Sequence, residues 1–157
     1  MNKDEILIKL ADAKIAHREW VKKAELLIDG YDMKIDAIPV SERECAFSVW
    51  FYEDCKELKN CVIIPADTIA TIESLHTQLH DTYAKIYKIF YATYETSILT
   101  KLFGTKRDID PEKLKQAKPY LKELEGFSQH LLQELTQIEE ILHSLSDEDI
   151  RNTNATH

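Results

Sequence analysis

Glycine and proline are scarce in this chain of 157 residues, three and four respectively. A many-stranded β fold needs turn-formers at short intervals, so that class is excluded and long helices are favoured. Cysteine is scarce too, and odd in number: Cys45, Cys55 and Cys61. A disulfide framework normally uses an even count in a secreted protein, so reduced thiols in a cytosol are the simpler expectation. Long apolar runs are missing. None approaches the roughly 20 residues of a membrane span, and no membrane insertion is expected. An excess of basic residues is missing as well. The formal net charge is −8, which argues against a nucleic-acid or anionic-membrane partner, because phosphate contacts need clustered Lys and Arg. The opening Met-Asn-Lys-Asp-Glu-Ile lacks the apolar core of a signal peptide, so a cytoplasmic location is expected.

What is present reads as one soluble domain. Hydrophobic residues make up 44% and charged residues 31%, ordinary values for a globular chain long enough for a single core. The expected domain covers residues 1–150, with a polar tail over 151–157 that frays. Residues 6, 10, 13, 17, 20, 24 and 27 step by four and three, which predicts a first helix from about Asp4 to Asp29. Gly30 stands where a left-handed C-cap belongs. After a connector containing Pro39, Ser41-Glu-Arg-Glu44 has the form of a capping box. A shorter second helix is expected there, carrying Cys45, Phe47, Trp50 and Phe51.

A third helix is predicted from Pro65 or Ala66 to Leu102, with Ile69, Ile72, His76, Leu79, His80, Tyr83, Tyr87, Phe90 and Tyr94 on its stripe. Gly104-Thr-Lys-Arg-Asp is the turn that ends it. Asp110-Pro111 is a strong helix start, an Asp N-cap followed by Pro at the first helical position. The fourth helix then places Leu114, Ala117, Leu121, Leu124, Ser128, Leu131, Leu135, Ile138, Leu142 and Leu145 on one face. Pro119 falls inside this pattern, where it should kink the helix or postpone its regular part. Three long helices and one short helix predict an all-α, four-helix-type bundle.

Three histidines occupy apolar stripes where Leu would be the cheaper residue. His76 and His80 lie one turn apart, with Cβ atoms about 6 Å from each other on one helix face. His17 sits on the inward stripe of the first helix, and Cys45 lies near the start of the second. Any one of them alone is better explained as a packed, hydrogen-bonded core residue. Together they would need several buried polar partners, and the same stripes offer few. A shared cation accounts for all four, and three imidazoles with one thiolate form a tetrahedral ligand set suited to zinc (Zn2+). No general base accompanies His76 and His80: Thr77-Gln78-Leu79 lies between them, without the Glu of a zinc-protease motif. A closed site of four protein ligands leaves no position for activated water, so no enzyme activity is expected. His130, His143 and His157 are read as solvent-facing. Cys55 and Cys61 are read as packing residues, with a thiol that resolves oxidised Cys45 as the sharper alternative. Tyr83, Tyr87, Tyr91 and Tyr94 form a core or interface face.

His17-Arg-Glu-Trp20, Cys45-Ala-Phe-Ser-Val-Trp-Phe-Tyr52 and His76-Thr-Gln-Leu-His80 follow one another in the order and spacing of a known pattern. In these segments the chain resembles the chemoreceptor zinc-binding (CZB) domains of bacterial signalling proteins, over roughly residues 5 to 145. Ser48 is a departure, standing where that family usually has Gly. The resemblance implies a helical bundle that holds zinc through three His and one Cys, here His17, Cys45, His76 and His80. It further implies a homodimer that regulates chemoreceptors or cyclic-di-GMP synthases, in response to zinc or to oxidation of the cysteine ligand. Such outputs sit on other domains, so a free-standing member with a signalling partner of unknown identity is expected. Trp20 and Trp50 are expected to act as packing platforms for His17 and Cys45. Two other classes compete. A metal-free helical adaptor would bind a partner helix and ignore chelation. A di-iron or hemerythrin-like bundle would want several inward carboxylates, for which Glu73-Ser-Leu-His76 is the one candidate pair.

Overall fold

The computed structural model describes residues 3–31, 37–54, 64–91, 110–146 and 148–149. Cys55, Cys61, Tyr94, His157, the third helix beyond Tyr91, the turn at 104–108 and the tail at 151–157 lie outside the described residues. Helix α1 spans Lys3–Ile28, α2 spans Ala46–Val49, α3 spans Ala66–Tyr91 and α4 spans Pro111–Ser144. A three-residue 3₁₀ turn, Glu42–Glu44, precedes α2, and a π turn, Trp50–Asp54, follows it. No strand occurs among the described residues, and the all-α bundle expected from the sequence is observed.

The periodic stripes become the buried faces. In α1, Ile6, Leu10, Ala13, His17, Trp20, Ala24 and Leu27 are all buried. The helix stops at Gly30, whose φ of 90° suits glycine alone without strain. The Gly30 N–H bonds to the Leu27 carbonyl at 3.3 Å and the Tyr31 N–H to the Leu26 carbonyl at 3.0 Å. These are the two bonds of a Schellman C-cap. At the start of α4 the Asp110 carboxylate accepts from the Glu112 N–H at 2.9 Å, with Pro111 in the first turn. That helix runs on through Pro119 instead of beginning after it. The Pro119 ring faces solvent, and burial of Ala117 and Leu124 on either side holds both halves to the core.

The second helix is shorter and more broken than the capping-box reading expects. The Ser41 hydroxyl accepts from the Arg43 N–H at 3.3 Å and so caps the 3₁₀ turn. Cys45 then takes extended backbone angles, φ −78° and ψ 132°, before the single turn of α2 begins. Phe47, Trp50 and Phe51 are all buried. A segment this short has little helical stability of its own, so burial of these three rings sets its conformation.

Helix α4 packs along both α1 and α3, α2 packs against α1, and the 3₁₀ turn meets α3. Hydrogen bonds give the direction of α1 against α4. Lys3 Nζ reaches the Leu145 carbonyl at 2.7 Å, and Lys14 Nζ reaches Thr136 Oγ1 at 3.1 Å and Glu139 Oε2 at 2.9 Å. These pairings run antiparallel. On the other side Lys85 Nζ lies over the Tyr120 ring, 5.5 Å from its centroid. The inward faces of α1, α2, α3 and α4 therefore meet in one core, and the histidines lie in it.

Candidate metal centre

Two residues of this centre are placed by helix geometry. His76 and His80 share the buried face of α3 at a spacing of four residues, and their ring centroids are 4.7 Å apart. Cys45 is placed by the break before α2. The donor atoms of Cys45, His76 and His80 all lie within 4.8 Å of one another, and all three residues are buried. A tetrahedral ion with bonds of about 2.0–2.3 Å spaces its donors roughly 3.5 Å apart. The three atoms are thus gathered on one point within the reach of small rotamer changes.

Each imidazole has a different set of partners. His80 Nδ1 lies 2.9 Å from the Val40 carbonyl. A carbonyl can only accept, so Nδ1 carries the proton and Nε2 keeps a bare lone pair. That is the arrangement in which a second hydrogen bond aims a metal-ligating histidine. His17 Nε2 lies 2.9 Å from Ser128 Oγ of α4. His17 is not part of the close three-residue group; it stands beside it, with the Phe47 ring 6.2 Å away. His76 has no hydrogen-bond partner on either ring nitrogen, although the side chain is 1% exposed. Leaving a buried polar group unpaired costs about 1–3 kcal/mol, and His76 carries two such atoms. An orphan of this kind, facing a thiol and a second imidazole, fits a cation that supplies the missing partner.

Burial also sets the protonation states. Desolvation, with weaker repulsion from His80 and Arg18, lowers the pKa of His17 to about 4. Desolvation, with repulsion from His80 and His17, lowers His76 to about 3. His80 is lowered by burial too, against the opposing pull of the Val40 hydrogen bond and of Glu42 and Asp81. All three rings are neutral at physiological pH and hold a lone pair ready for a metal. The Cys45 thiol is pushed up by burial, while the backbone N–H groups of Phe47 and Ser48 pull the other way. A bound divalent cation would reverse that balance, since a coordinated thiol loses its proton.

The aromatic lining departs from expectation. Trp20 packs at a tilt on His80, with centroids 5.0 Å apart, and edge-to-face on Tyr83 at 5.2 Å, rather than under His17. Its Nε1–H donates to the Pro39 carbonyl at 3.2 Å, which ties α1 to the segment whose Val40 holds His80. Trp50 packs on Phe47 at 5.5 Å. Phe47, read from the sequence only as core, also meets His76 at 4.9 Å. The expectation that the stripes hold few polar partners is met for His76 alone. Ser128 and the Val40 carbonyl each partner one nitrogen of the other two rings. A backbone carbonyl in a connector leaves no trace in a sequence. Ser128 did leave one, as the single polar member of the buried face of α4.

The remaining candidates fall away from the centre. His130 is exposed and lies 3.3 Å from Glu134 Oε1, and His143 is exposed. Glu73 is half-buried and outside the ligand group, which holds no carboxylate. Tyr83, Tyr87 and Tyr91 follow one another along α3, edge-to-face at 6.4 Å and tilted at 4.9 Å. None of the described helices is long and apolar enough to cross a membrane.

No curated protein and no solved structure matches this chain. One family model does: the chemoreceptor zinc-binding domain, CZB, over residues 17–87. The matched span begins at His17, takes in Cys45, His76 and His80, and ends before α4. The donors gathered in the core and the segments carrying the sequence resemblance are therefore the same residues, and over 17–87 this chain is similar to the CZB family.

Proposed function

We propose that this domain is a cytoplasmic zinc-binding sensor of bacterial signalling, with Cys45, His76 and His80 as the central ligands and His17 as the fourth. The observation that carries the reading is the orphaned His76 ring, buried without a partner and within 4.8 Å of two further donors. Zinc, when bound, supplies a Lewis-acidic centre that holds the thiolate and ties α1, α2 and α3 together. The chain's own residues do the rest. The Val40 carbonyl aims His80, Phe47 and Trp20 wall the rings from solvent, and the broken backbone at Cys45 presents the sulfur. No carboxylate stands in the group to act as a base, which favours a sensory role over catalysis.

The same geometry supports a redox response. Oxygen transfer from a hypohalous acid to the Cys45 thiolate gives a sulfenate and releases halide and a proton, the sulfur losing two electrons and the halogen gaining them. A sulfenate is a weaker ligand. The element it anchors is a single α turn between a 3₁₀ turn and a π turn, the part of the bundle least able to keep its place unaided. Release of Cys45 would thus free α2 while α1, α3 and α4 stay packed. In keeping with the family, the domain acts as a homodimer that passes this state to a signalling partner, and sedimentation of the purified protein checks the dimer.

Metal analysis of the purified protein tests the core of the reading. One zinc per chain is expected for the wild type, with weakened retention and lower thermal stability for Cys45→Ser. A Cys45→Ser variant that keeps zinc as tightly as the wild type would refute the role of Cys45. Iron in place of zinc would revive the carboxylate-bridged alternative, and stability indifferent to chelators would revive the metal-free adaptor.

A further inference from the structure

Helix α4 lies outside the segment matched by the family model, and no residue of it belongs to the ligand group. Its buried face is Ala117, Leu124, Ser128, Leu131, Leu135, Ile138 and Leu142. Packing alone would be served by Ala or Leu at position 128. Instead a hydroxyl stands there, 7% exposed, 2.9 Å from Nε2 of His17, which is 2% exposed. The two residues are 111 positions apart in sequence, so only the packing of α1 on α4 brings them together.

We propose that Ser128 is a positioning residue for the metal centre: its Oγ accepts the Nε2 proton of His17, leaving Nδ1 as the bare nitrogen offered to zinc. This rests on the zinc reading above and extends it to the fourth helix. A serine hydroxyl can donate or accept, so distance alone does not choose between the two His17 tautomers. The ligand role chooses. If Ser128 donated, Nδ1 would carry a proton in the core and His17 would have no lone pair free for a cation. His80 shows the same device on the other side of the site, with one nitrogen tied to an acceptor and the other left bare. The two anchors differ in origin. Val40 belongs to the connector before α2, whereas Ser128 makes the seating of α4 on α1 a condition for presenting the fourth ligand. Displacement of α4, for instance by a partner that binds it, would then loosen His17 without touching Cys45, His76 or His80.

The test uses the 157-residue chain as wild type, Ser128→Ala, His17→Ala and the double variant. Zinc affinity is measured by competition with a chromogenic chelator, and the His17 tautomer by long-range proton–nitrogen NMR of the zinc-free protein. Loss of an outer hydrogen bond to a ligating histidine typically costs about 10–100-fold in metal affinity. We expect Ser128→Ala to weaken zinc binding by a factor in that range and to add nothing further on the His17→Ala background. The wild type should show His17 protonated at Nε2, a signature that Ser128→Ala blurs. A zinc-loading wild type whose affinity ignores Ser128→Ala would overturn this inference alone, as would an equal loss on both backgrounds or a His17 protonated at Nδ1. A wild type that takes up no zinc would overturn the zinc reading and this inference with it.

Discussion

Replacing His76 by Leu should stabilise the zinc-free protein and destabilise the zinc-loaded one. Without metal, both ring nitrogens of His76 are buried and unpartnered. Each unpaired buried polar group costs about 1–3 kcal/mol, and part of that cost is relieved by small local adjustments. Leu has about the same volume and no polar atom, and it would rest on Phe47, the ring His76 now meets at 4.9 Å. A net gain of roughly 1–2 kcal/mol is expected for the apo protein. For a chain of this size that raises the melting temperature by about 2–8 °C. With zinc the sign reverses. Saturation at 100 times the dissociation constant stabilises a protein by about 2.7 kcal/mol, and a variant lacking a central ligand forfeits most of it. Thermal melts of wild type and His76→Leu, each after chelation and after zinc addition, give four values whose pattern should cross. A variant less stable than wild type under both conditions would mean that His76 is an ordinary satisfied core residue. The metal assignment would then lose its main support.

The metal-free protein should also lose stability on mild acidification. His17 and His76 protonate at 6.5 when unfolded but only at about 4 and about 3 when buried. Below 6.5 the unfolded chain binds protons that the folded chain refuses, so stability is full above that value and falls toward pH 3. Urea midpoints of the chelated protein at about pH 7.5 and about pH 5 check this, and equal midpoints would contradict it. Two glycines should respond in opposite directions. Gly30→Ala forces a side chain onto φ 90° and breaks the C-cap of α1, a loss of about 1 kcal/mol or more. Gly126→Ala adds a methyl to an exposed helical position with nothing within 4 Å, a gain of about 0.5–1 kcal/mol. Denaturant unfolding of both variants reads these shifts, and a destabilised Gly126→Ala would mean that α4 is not helical there.

The long helices were legible because their information is local. In α1 the four-and-three spacing, the Gly30 stop and the inward His17 can all be read without knowing what the helix packs against. The Asp110-Pro111 start of α4 is equally local, and it holds in the structure. The segment around Cys45 was misjudged for the opposite reason. Ser-Glu-Arg-Glu has the form of a capping box, yet the backbone turns extended at Cys45 because three neighbouring rings must be buried. Propensity yields to packing in an element too short to stand by itself. Ser128 was visible as a polar residue on an apolar stripe, but its partner was not, since nothing in either helix says which other helix it will face.

From the order of residues alone came the helical class, the Gly30 stop of α1, the Asp110-Pro111 start of α4, the His-x-x-x-His pair and the candidate ligands, because periodicity and capping act within a few residues of chain. The tertiary structure decided that Cys45 meets His76 and His80 in one buried cluster. It also left His76 without a partner and set His17 on Ser128 across the bundle. Those outcomes depend on which faces are pressed together when α4 lies along α1 and α3 and closes the core. Contacts between residues as far apart as 17 and 128 exist only once that closure has excluded water from all of them.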